Sequence, residues 1–304
     1  MCEYLGEAHL DRLRREHTVL YDPDLYLDRP RLLAAIANAE AIVTRNRTQV
    51  DRGLVNAATR MRVVGRLGVG LDNIDLEACS EAGIAVRPAV GANAIAVAEY
   101  VMGAMLALLR PVFGMTESLT AGEWPRQGHA FGAELAGKTL GLVGLGMIAQ
   151  KVAARSRGFE MAITAYDPHL AVDHPAWNGV DQLPLEELLR RADVLTLHVP
   201  LTEETRSLIG AEELRLMKPT SILINTSRGG VVDEAALAGA LRAGVIAGAA
   251  VDVFTREPLG PEQISILAGA PNLILTPHLA GNSREAVERV AATTVTAVLE
   301  TLRA

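Results

Sequence analysis

The sequence is poor in the features that define several large classes of protein. Only two of its 304 residues are cysteines, Cys2 and Cys79, and they have neither metal-ligand spacing nor the pattern of a disulfide framework. Aromatic residues make up 4% of the chain, whereas 49% of its residues are apolar and 21% are charged. This composition is typical of a globular protein and excludes a disordered or fibrous one. The free thiols favour a reducing cytoplasm.

Excess basic charge and long apolar runs are missing as well. The formal net charge is -7, which argues against nucleic acid as a general partner because phosphate binding needs a basic surface. The start of the chain has no basic flank followed by an apolar stretch, so no signal peptide is expected. The longest apolar segment, residues 94–109, contains Glu99 and is shorter than the roughly 20 residues that cross a bilayer. We therefore expect a soluble cytoplasmic protein with no membrane partner.

Short apolar strands alternate with helical segments along most of the chain, which predicts parallel sheets covered by helices. In the second part, strands are predicted at 139–144, 161–167, 193–199, 221–226, 248–253 and 273–278, with helices at 147–159, 183–192 and 233–244. In the first part, strands are predicted at 17–22, 41–45, 61–68 and 83–89, with helices at 9–17 and 29–39. Only residues 2–5 are available for an opening strand, so we expect a truncated or misassigned start rather than a very short strand.

Two further helices, near 93–109 and from 283 to the end, are expected to join the two parts. Because the second of them follows the last predicted strand, it should return to the first part of the chain. The prediction is a two-domain α/β protein, for which 304 residues are sufficient. A smaller flavodoxin-like substrate domain would comprise residues 1–95 and 281–304. A Rossmann-type dinucleotide-binding domain, residues 96–280, would be inserted into it.

A glycine-rich turn with the sequence GLGMIA fits the dinucleotide pattern G-x-G-x-x-A. Gly144 allows the tight turn, Gly146 lets the backbone approach a pyrophosphate, and Ala149 permits close packing of helix and strand. The helix that begins with Met147 and Ile148 directs its amides at the phosphates. The pattern alone is weak, because glycine turns are common. Here it follows a predicted strand and opens a predicted helix.

The predicted strand after this turn ends at Asp167, about 20 residues beyond the glycines, where a carboxylate that binds the ribose hydroxyls is expected. A glycine turn with an incidental aspartate is the alternative. An aspartate repels a 2′-phosphate, and no arginine or lysine follows it in DPHLAVDH. NAD(H) is therefore favoured over NADP(H).

Three polar residues near the end of the chain each follow a short apolar run. They are Arg228 in NTSRGG, Glu257 in DVFTREP and His278 in TPHLAGN. An arginine that grips a carboxylate, a histidine that moves a proton and a carboxylate that tunes the histidine could together reduce a 2-keto acid, with NAD(H) as the hydride source. Each residue alone has an ordinary structural explanation. Their joint position at strand ends beside a dinucleotide motif favours catalysis.

Several motifs in a fixed order resemble the D-isomer-specific 2-hydroxyacid dehydrogenase family. They include GKTLGLVGLGMIAQ, HVPLTEETRSLIG, NTSRGGVVDEAAL, AVDVFTREP and TPHLAGNSREA, and in the first part GRLGVGLDNIDLEAC and NAIAVAEYVM. The resemblance extends essentially end to end. It implies an NAD-dependent enzyme that interconverts a small D-2-hydroxy acid and its 2-keto acid. It also implies a homodimer, with the loop of Trp124 and Arg126 reaching the partner subunit.

The resemblance assigns roles residue by residue. Arg228 matches the arginine that holds the substrate carboxylate and keto oxygen, His278 the general acid–base, and Glu257 its carboxylate partner. Asp252 matches the carboxylate that contacts the nicotinamide carboxamide. Further cofactor-binding residues are implied, although each of them could serve only for packing: His198, Pro200, Thr205, Thr226 and Val97.

Substrate binding is also implied for the first part of the chain. Val69 and Gly70 match a loop whose backbone amides bind the substrate carboxylate. Arg45, in TRNRT, lies where family members often place an arginine against a second anionic group, so it could meet a phosphate or sulfonate. A solvated basic turn is the alternative. The segments RNRT, GRLGVGLDNID and AGEWPRQ also resemble enzymes that oxidise sulfolactate.

Two other functions use the same scaffold. An NAD(H)-sensing corepressor should carry peptide-recognition surfaces and long disordered extensions, and the sequence shows no such extensions. A related enzyme acting on phosphite or formate would need different pocket residues, which are not identifiable in this sequence.

Overall fold

The computed structural model describes residues 1–126 and 132–304, which form two compact units. Unit 1 comprises Met1–Asn93 and Asn282–Ala304, and unit 2 is the continuous stretch Ala94–Gly281. Unit 2 is therefore an insertion in the sequence of unit 1. Gln127, the last residue of the AGEWPRQ segment, lies outside the described residues.

In the described ranges the chain forms α-helices and β-strands that alternate over most of its length. The strands are β1 (Ala41–Thr44), β2 (Val63–Arg66), β3 (Ala85–Pro88), β4 (Thr139–Val143), β5 (Ala162–Tyr166), β6 (Asp181–Gln182), β7 (Val194–Leu197), β8 (Ile222–Asn225), β9 (Gly248–Val251) and β10 (Leu273–Leu275). The helices are α1 (Glu7–Arg14), α2 (Arg29–Ile36), α3 (Arg52–Ala57), α4 (Leu76–Glu81), α5 (Ala94–Leu109), α6 (Thr116–Thr120), α7 (Met147–Arg157), α8 (Leu185–Arg191), α9 (Ala211–Leu216), α10 (Glu234–Arg242), α11 (Pro261–Leu267) and α12 (Arg284–Arg303). None of these helices is both long and apolar enough to span a bilayer.

Unit 1 is built on a three-stranded parallel sheet in the order β1-β2-β3. The C-terminal helix α12 packs on this sheet through Val295 and Val298, which are buried against Val43 and Val63. A side chain at Gly65 in β2 would place its Cβ 2.5 Å from a methyl group of Val298. Glycine at this position therefore lets the helix lie directly against the strand.

The strand predicted at 17–22 does not form, so that prediction was wrong. Residues 2–5 form no strand either. Segment 17–22 is hydrogen-bonded to the start of the chain through Met1, whose amino group donates to Leu20 O at 2.9 Å and whose carbonyl accepts from Asp22 N–H at 3.1 Å. Two hydrogen bonds to a single residue do not by themselves make a strand ladder. The described sheet of unit 1 therefore has three strands rather than the five of the flavodoxin-like order.

Unit 2 is built on a seven-stranded sheet in the order β10-β9-β8-β7-β4-β5-β6, and every neighbouring pair is parallel. With β4 as its first strand, this is the Rossmann order extended by a seventh strand. Apolar side chains alternate between two cores: in β8, Ile222 and Ile224 belong to one buried cluster and Leu223 to the other. The prediction of an α/β fold with a Rossmann domain is confirmed.

The strand order of unit 2 determines which loops can form a site. The chain reverses its direction of progress between β4 and β7, and ligands of such sheets bind at the carboxyl ends beside that point. The glycine turn follows β4. The loops after β8, β9 and β10 lie side by side at the same edge, because these strands are neighbours and parallel.

Candidate active site

The three residues predicted to be catalytic lie on three adjacent loops of unit 2. Arg228 follows β8, Glu257 follows β9 and His278 follows β10. His278 Nδ1 and Glu257 Oε2 are 2.7 Å apart. The charge of Arg228 acts on the pKa of both groups, which places its guanidinium in the same site.

The His278–Glu257 hydrogen bond sets the protonation of the ring. Glu257 Oε1 also accepts from Phe254 N–H at 3.0 Å, so both oxygens of this carboxylate are engaged. An ionised carboxylate only accepts, so Nδ1 is the donor and Nε2 is the nitrogen that can take up or release a proton. The hydrogen bond that His278 donates to Glu257 raises the pKa of His278 above its ordinary value, against the opposing effects of burial and Arg228. Burial would raise the pKa of Glu257, but the hydrogen bonds from His278 and Phe254 lower it.

A buried carboxylate, Asp252, holds the loop that carries His278. Its Oδ1 accepts from the Thr276 hydroxyl at 2.5 Å and from Leu279 N–H at 2.8 Å, and its Oδ2 accepts from Ala280 N–H at 2.8 Å. Its own carbonyl accepts from His278 N–H at 2.8 Å. His278 has a φ of 55°, in the left-handed region that a non-glycine residue adopts only where its surroundings impose it. Asp252 supplies that restraint.

Sequence reasoning missed two members of this network. The Thr276 hydroxyl lies 2.7 Å from the hydroxyl of Tyr100, which comes from α5. Burial raises the pKa of Tyr100, so the phenol stays protonated and can donate. Tyr100 lies in the motif NAIAVAEYVM and Thr276 in the motif TPHLAGNSREA. Neither motif indicates that the two side chains meet. The nicotinamide contact predicted for Asp252 stays a prediction.

A third residue missed by sequence reasoning, Asn225, shapes the loop of Arg228. Asn225 is buried at the end of β8, and its Oδ1 accepts from the Ser227 amide at 3.0 Å and from the Ser227 hydroxyl at 2.7 Å. Its Nδ2 donates to Arg228 O at 3.1 Å. The Arg228 guanidinium donates to Ser227 O at 2.6 Å. The backbone on which Arg228 stands is therefore fixed by a polar side chain inside the protein.

The loops after β8 and β9 touch backbone to backbone at Gly229. A Cβ at this position would lie 1.9 Å from Phe254 O and 2.0 Å from Phe254 C, which is impossible without displacing one loop. This contact holds the loop of Arg228 against the segment that leads to Glu257.

Replacing Gly229 with alanine is expected to lower the free energy of unfolding by about 1–3 kcal/mol, the usual cost of overpacking. Urea titration of the variant beside the wild type measures this loss. Gly239→Ala is the matched control, because a Cβ at Gly239 in α10 meets no heavy atom within 4 Å. Equal stability of G229A and the wild type would contradict the close approach.

The glycine turn after β4 has the geometry that a dinucleotide needs. Gly144 has a φ of 85°, and a Cβ there would lie 2.7 Å from His198 O. A Cβ at Gly146 meets no heavy atom within 4 Å, so the turn is open at the amino end of α7. Asp167 Oδ2 accepts from Leu145 N–H at 2.8 Å, which places this carboxylate directly beside the turn. These features fit a pyrophosphate on the helix amides, with a ribose against Asp167.

Two of the other predicted cofactor residues are engaged within the protein. His198 Nε2 lies 3.1 Å from the Thr196 hydroxyl, and burial lowers the pKa of His198 to about 3, so its ring is neutral. The Thr205 hydroxyl donates to Pro200 O at 2.6 Å and closes the turn 200–205. Their predicted contacts with the cofactor stay predictions.

Thr226 differs from these residues. Its Oγ1 is buried and finds no hydrogen-bond partner in residues 1–126 and 132–304. A buried hydroxyl without a partner is costly, and a bound ligand would satisfy it. Val97 is buried on α5, where its side chain serves the core. Met147 and Ile148 form the first turn of α7, whose N–H groups have no partner within the helix.

Unit 1 carries the three predicted substrate-binding residues on two loops. Arg45 follows β1, and Val69 and Gly70 lie in the loop after β2. Within the described part of the chain, the amides of Val69 and Gly70 donate no hydrogen bond. No group of three or more potential metal ligands occurs among the described residues.

The chain is similar to several known proteins, which are dehydrogenases. The family model described as "D-isomer specific 2-hydroxyacid dehydrogenase, NAD binding domain" matches residues 102–280. The (S)-sulfolactate dehydrogenase of Chromohalobacter salexigens is 48% identical over 296 residues, which are 97% of this chain and 95% of that protein. The D-3-phosphoglycerate dehydrogenase of Methanocaldococcus jannaschii is 45% identical over 270 residues, 88% of this chain and 51% of that protein. The chain thus spans about half the length of this second relative.

A solved structure shares the fold over most of the chain. The crystal structure of D-lactate dehydrogenase from Aquifex aeolicus, complexed with NAD and lactic acid, matches with a TM-score of 0.81 and 29% identity. The match covers 89% of this chain and 85% of that chain.

Proposed function

The chain belongs to the D-isomer-specific 2-hydroxyacid dehydrogenases and is an NAD-dependent enzyme of that family, and on this premise we propose that it acts on a 2-hydroxy acid with a second anionic group, sulfolactate in particular. The likeness to (S)-sulfolactate dehydrogenase over nearly the full length of both chains supports this substrate. The corepressor alternative is not favoured by these relatives.

The observation that carries the catalytic proposal is the 2.7 Å hydrogen bond between His278 and Glu257 in the site of Arg228. In oxidation, His278 Nε2 takes the proton of the substrate 2-hydroxyl, and in reduction it returns that proton to the keto oxygen. Glu257 holds Nδ1 and stabilises the imidazolium that forms. Arg228 binds the substrate carboxylate and the neighbouring oxygen through the paired N–H donors of its planar guanidinium, which a lysine lacks.

NAD supplies the acceptor for the hydride that leaves C2 of the hydroxy acid. The residues proposed to hold it share the carboxyl edge of the unit 2 sheet or the helices beside it: Gly144, Gly146, Met147, Ile148, Asp167, His198, Pro200, Thr205, Thr226, Asp252 and Val97. Among them, the open turn at Gly146 and the unsatisfied Thr226 hydroxyl give the strongest structural support.

The pH dependence of kcat/KM should follow from the hydrogen bond between His278 and Glu257. In Glu257→Gln, the pKa of His278 should fall, because that bond is the main cause of its elevation. Oxidation needs the neutral imidazole, so in the variant kcat/KM for oxidation should begin to rise at lower pH than in the wild type. Reduction needs the imidazolium, so kcat/KM for reduction should also begin to decline at lower pH.

Profiles of kcat/KM against pH in both directions measure this shift. Glu262→Gln, in the first turn of α11, is the matched control and should keep the wild-type profile. An unchanged profile in E257Q would show that Glu257 does not tune His278.

Arg45 is the residue proposed to bind the second anionic group. In Arg45→Ala, kcat/KM for sulfopyruvate should fall about 10–100-fold, the range expected for a lost hydrogen bond to a charged group. Turnover of glyoxylate, which has no second anion, should be unchanged. Consumption of NADH with sulfopyruvate, phosphohydroxypyruvate, hydroxypyruvate and glyoxylate measures both.

Arg47→Ala is the matched control in the same loop, because the Arg47 guanidinium lies over the Tyr26 ring at 5.3 Å and bonds its hydroxyl. An equal loss for glyoxylate in R45A would reject the role of Arg45. No turnover of any keto acid by the wild type would reject the substrate proposal as a whole.

A homodimer is also proposed. Large apolar side chains are exposed along the segment 111–124, including Phe113 at 68% and Trp124 at 78% exposure. Exposed apolar patches mark contact surfaces. A monomer mass by light scattering would reject this assembly.

A further inference from the structure

Glu3 is a buried carboxylate outside the catalytic loops, with only 4% of its surface exposed. Charged side chains are almost never buried to this degree unless they are paired. No role follows for Glu3 from the motifs of the sequence. Among the residues that the structure describes, its hydrogen-bond partners all lie in one segment, the loop 44–48, which carries Arg45.

The loop wraps its donors around the Glu3 carboxylate. Oε1 accepts from the Thr44 hydroxyl at 2.7 Å, from Arg45 N–H at 2.8 Å and from Thr48 N–H at 3.1 Å. Oε2 accepts from Arg47 N–H at 3.3 Å. Burial would raise the pKa of Glu3, but these hydrogen bonds lower it, so the group is ionised. Successive backbone amides around one anion form a nest, here filled by the protein's own side chain.

A second side chain, Asn73, holds the opposite side of the same loop. Asn73 is 8% exposed, and its Nδ2 donates to Arg45 O at 3.0 Å and to Thr48 O at 2.7 Å. The loop thus turns its amides toward Glu3 and its carbonyls toward Asn73. Asn73 also ties this loop to the segment that contains Val69 and Gly70.

These contacts leave Arg45 with a fixed backbone and an available charge. Its N–H is held by Glu3 and its carbonyl by Asn73. Its guanidinium makes no hydrogen bond or ion pair with any other residue that the structure describes. The Arg47 guanidinium, in contrast, is engaged by Tyr26. A cation whose backbone is already ordered loses less entropy when it binds an anion.

We propose that Glu3 is a positioning residue for substrate specificity: it orders the loop 44–48 so that Arg45 can bind the second anionic group of the substrate. This inference rests on the proposed role of Arg45. The carboxylate acts through the loop and contacts no reacting atom. Removing the Glu3 carboxylate should therefore lower kcat/KM for substrates with two anionic groups and leave turnover of substrates with one anionic group unchanged.

The test replaces Glu3 with glutamine, which keeps the shape but turns an NH2 group toward the loop amides. In E3Q, kcat/KM for sulfopyruvate should fall about tenfold through KM, the size of one hydrogen bond to a charged group. Glyoxylate turnover should be unchanged. Amide hydrogen exchange at residues 45–48 should become faster. The control Glu7→Gln, which only loses an exposed ion pair with Arg14, should show none of these effects.

A double variant separates positioning from general damage. If Glu3 acts through Arg45, E3Q should cause no further loss of sulfopyruvate turnover in the R45A background. Equal losses for both substrates, or a full additional loss on top of R45A, would overturn the inference. If E3Q does not fold, Glu3→Asp takes its place, because it keeps the charge on a shorter side chain. It should show a smaller loss of kcat/KM for sulfopyruvate and unchanged turnover of glyoxylate.

The two proposals can fail separately. A selective loss in R45A together with wild-type selectivity and unchanged exchange in E3Q rejects only the role of Glu3. A non-selective loss in R45A rejects the second-anion site itself, and the inference about Glu3 falls with it.

Discussion

Replacing His278 with alanine is expected to lower kcat by about 10²–10⁴-fold in both directions, the usual contribution of a general acid–base. The same Nε2 takes the proton in oxidation and returns it in reduction, so neither direction is spared. The affinity for NADH should stay nearly intact, because the glycine turn and Asp167 lie on other loops. Steady-state kinetics measure the first effect, and fluorescence titration with NADH measures the second.

His174→Ala is the matched control for this variant. His174 is exposed and only caps a short 3-10 helix through the amide of Ala176, so its loss should leave kcat unchanged. If H278A keeps more than a tenth of the wild-type kcat, His278 is not the acid–base. If NADH binding falls as strongly as kcat, the variant has damaged the cofactor site, and the separation of roles proposed here is wrong.

Replacing Arg228 with lysine is expected to lower kcat/KM by about 10²-fold or more. The charge remains, but the two parallel N–H donors that match a carboxylate edge are lost, and truncated charge pairs in binding sites typically cost about 2–5 kcal/mol. Every 2-keto acid should suffer, because Arg228 binds the part that all of them share. This pattern distinguishes R228K from R45A, which should affect only substrates with a second anion.

Kinetics with glyoxylate and sulfopyruvate measure this loss side by side. Arg215→Lys, an exposed arginine in the last turn of α9, is the matched control and should behave as the wild type. A loss in R228K for sulfopyruvate alone would show that Arg228 binds the second anionic group of the substrate and not the 2-keto acid part that all the substrates share. Full activity would remove Arg228 from the site.

The elements of unit 2 could be predicted because their signals are local. A run of apolar residues identifies a strand such as β8, and glycines with a following amphipathic segment identify the turn into α7. The strand predicted at 17–22 failed for a non-local reason. A strand exists only with a partner, and among the described residues the hydrogen bonds of this segment to the start of the chain involve Met1 alone.

The anchoring roles of the residues that support the candidate site could not be found in this way. Asp252 binds residues 276–280, Asn225 bonds within its own loop, and Tyr100 reaches Thr276 from α5. The contacts of Asp252 and Tyr100 have no sequence signature, because each depends on the path of the backbone between partners that are far apart in the chain. Glu3 is the clearest case, since it lies 42 positions before Arg45 yet accepts a hydrogen bond from the amide of that residue.

The sequence by itself determined the family, the Rossmann unit and NAD as the cofactor, and it predicted the three residues proposed for catalysis. These properties depend on residue types at short, fixed spacings. Only the tertiary structure decided that His278 bonds to Glu257 through Nδ1, that Asp252 holds the His278 loop, and that Arg45 rather than Arg47 has an available charge. Hydrogen bonds require atoms within about 3 Å. Only the tertiary fold, including the order of strands in a sheet and the packing of helices on it, brings distant segments that close.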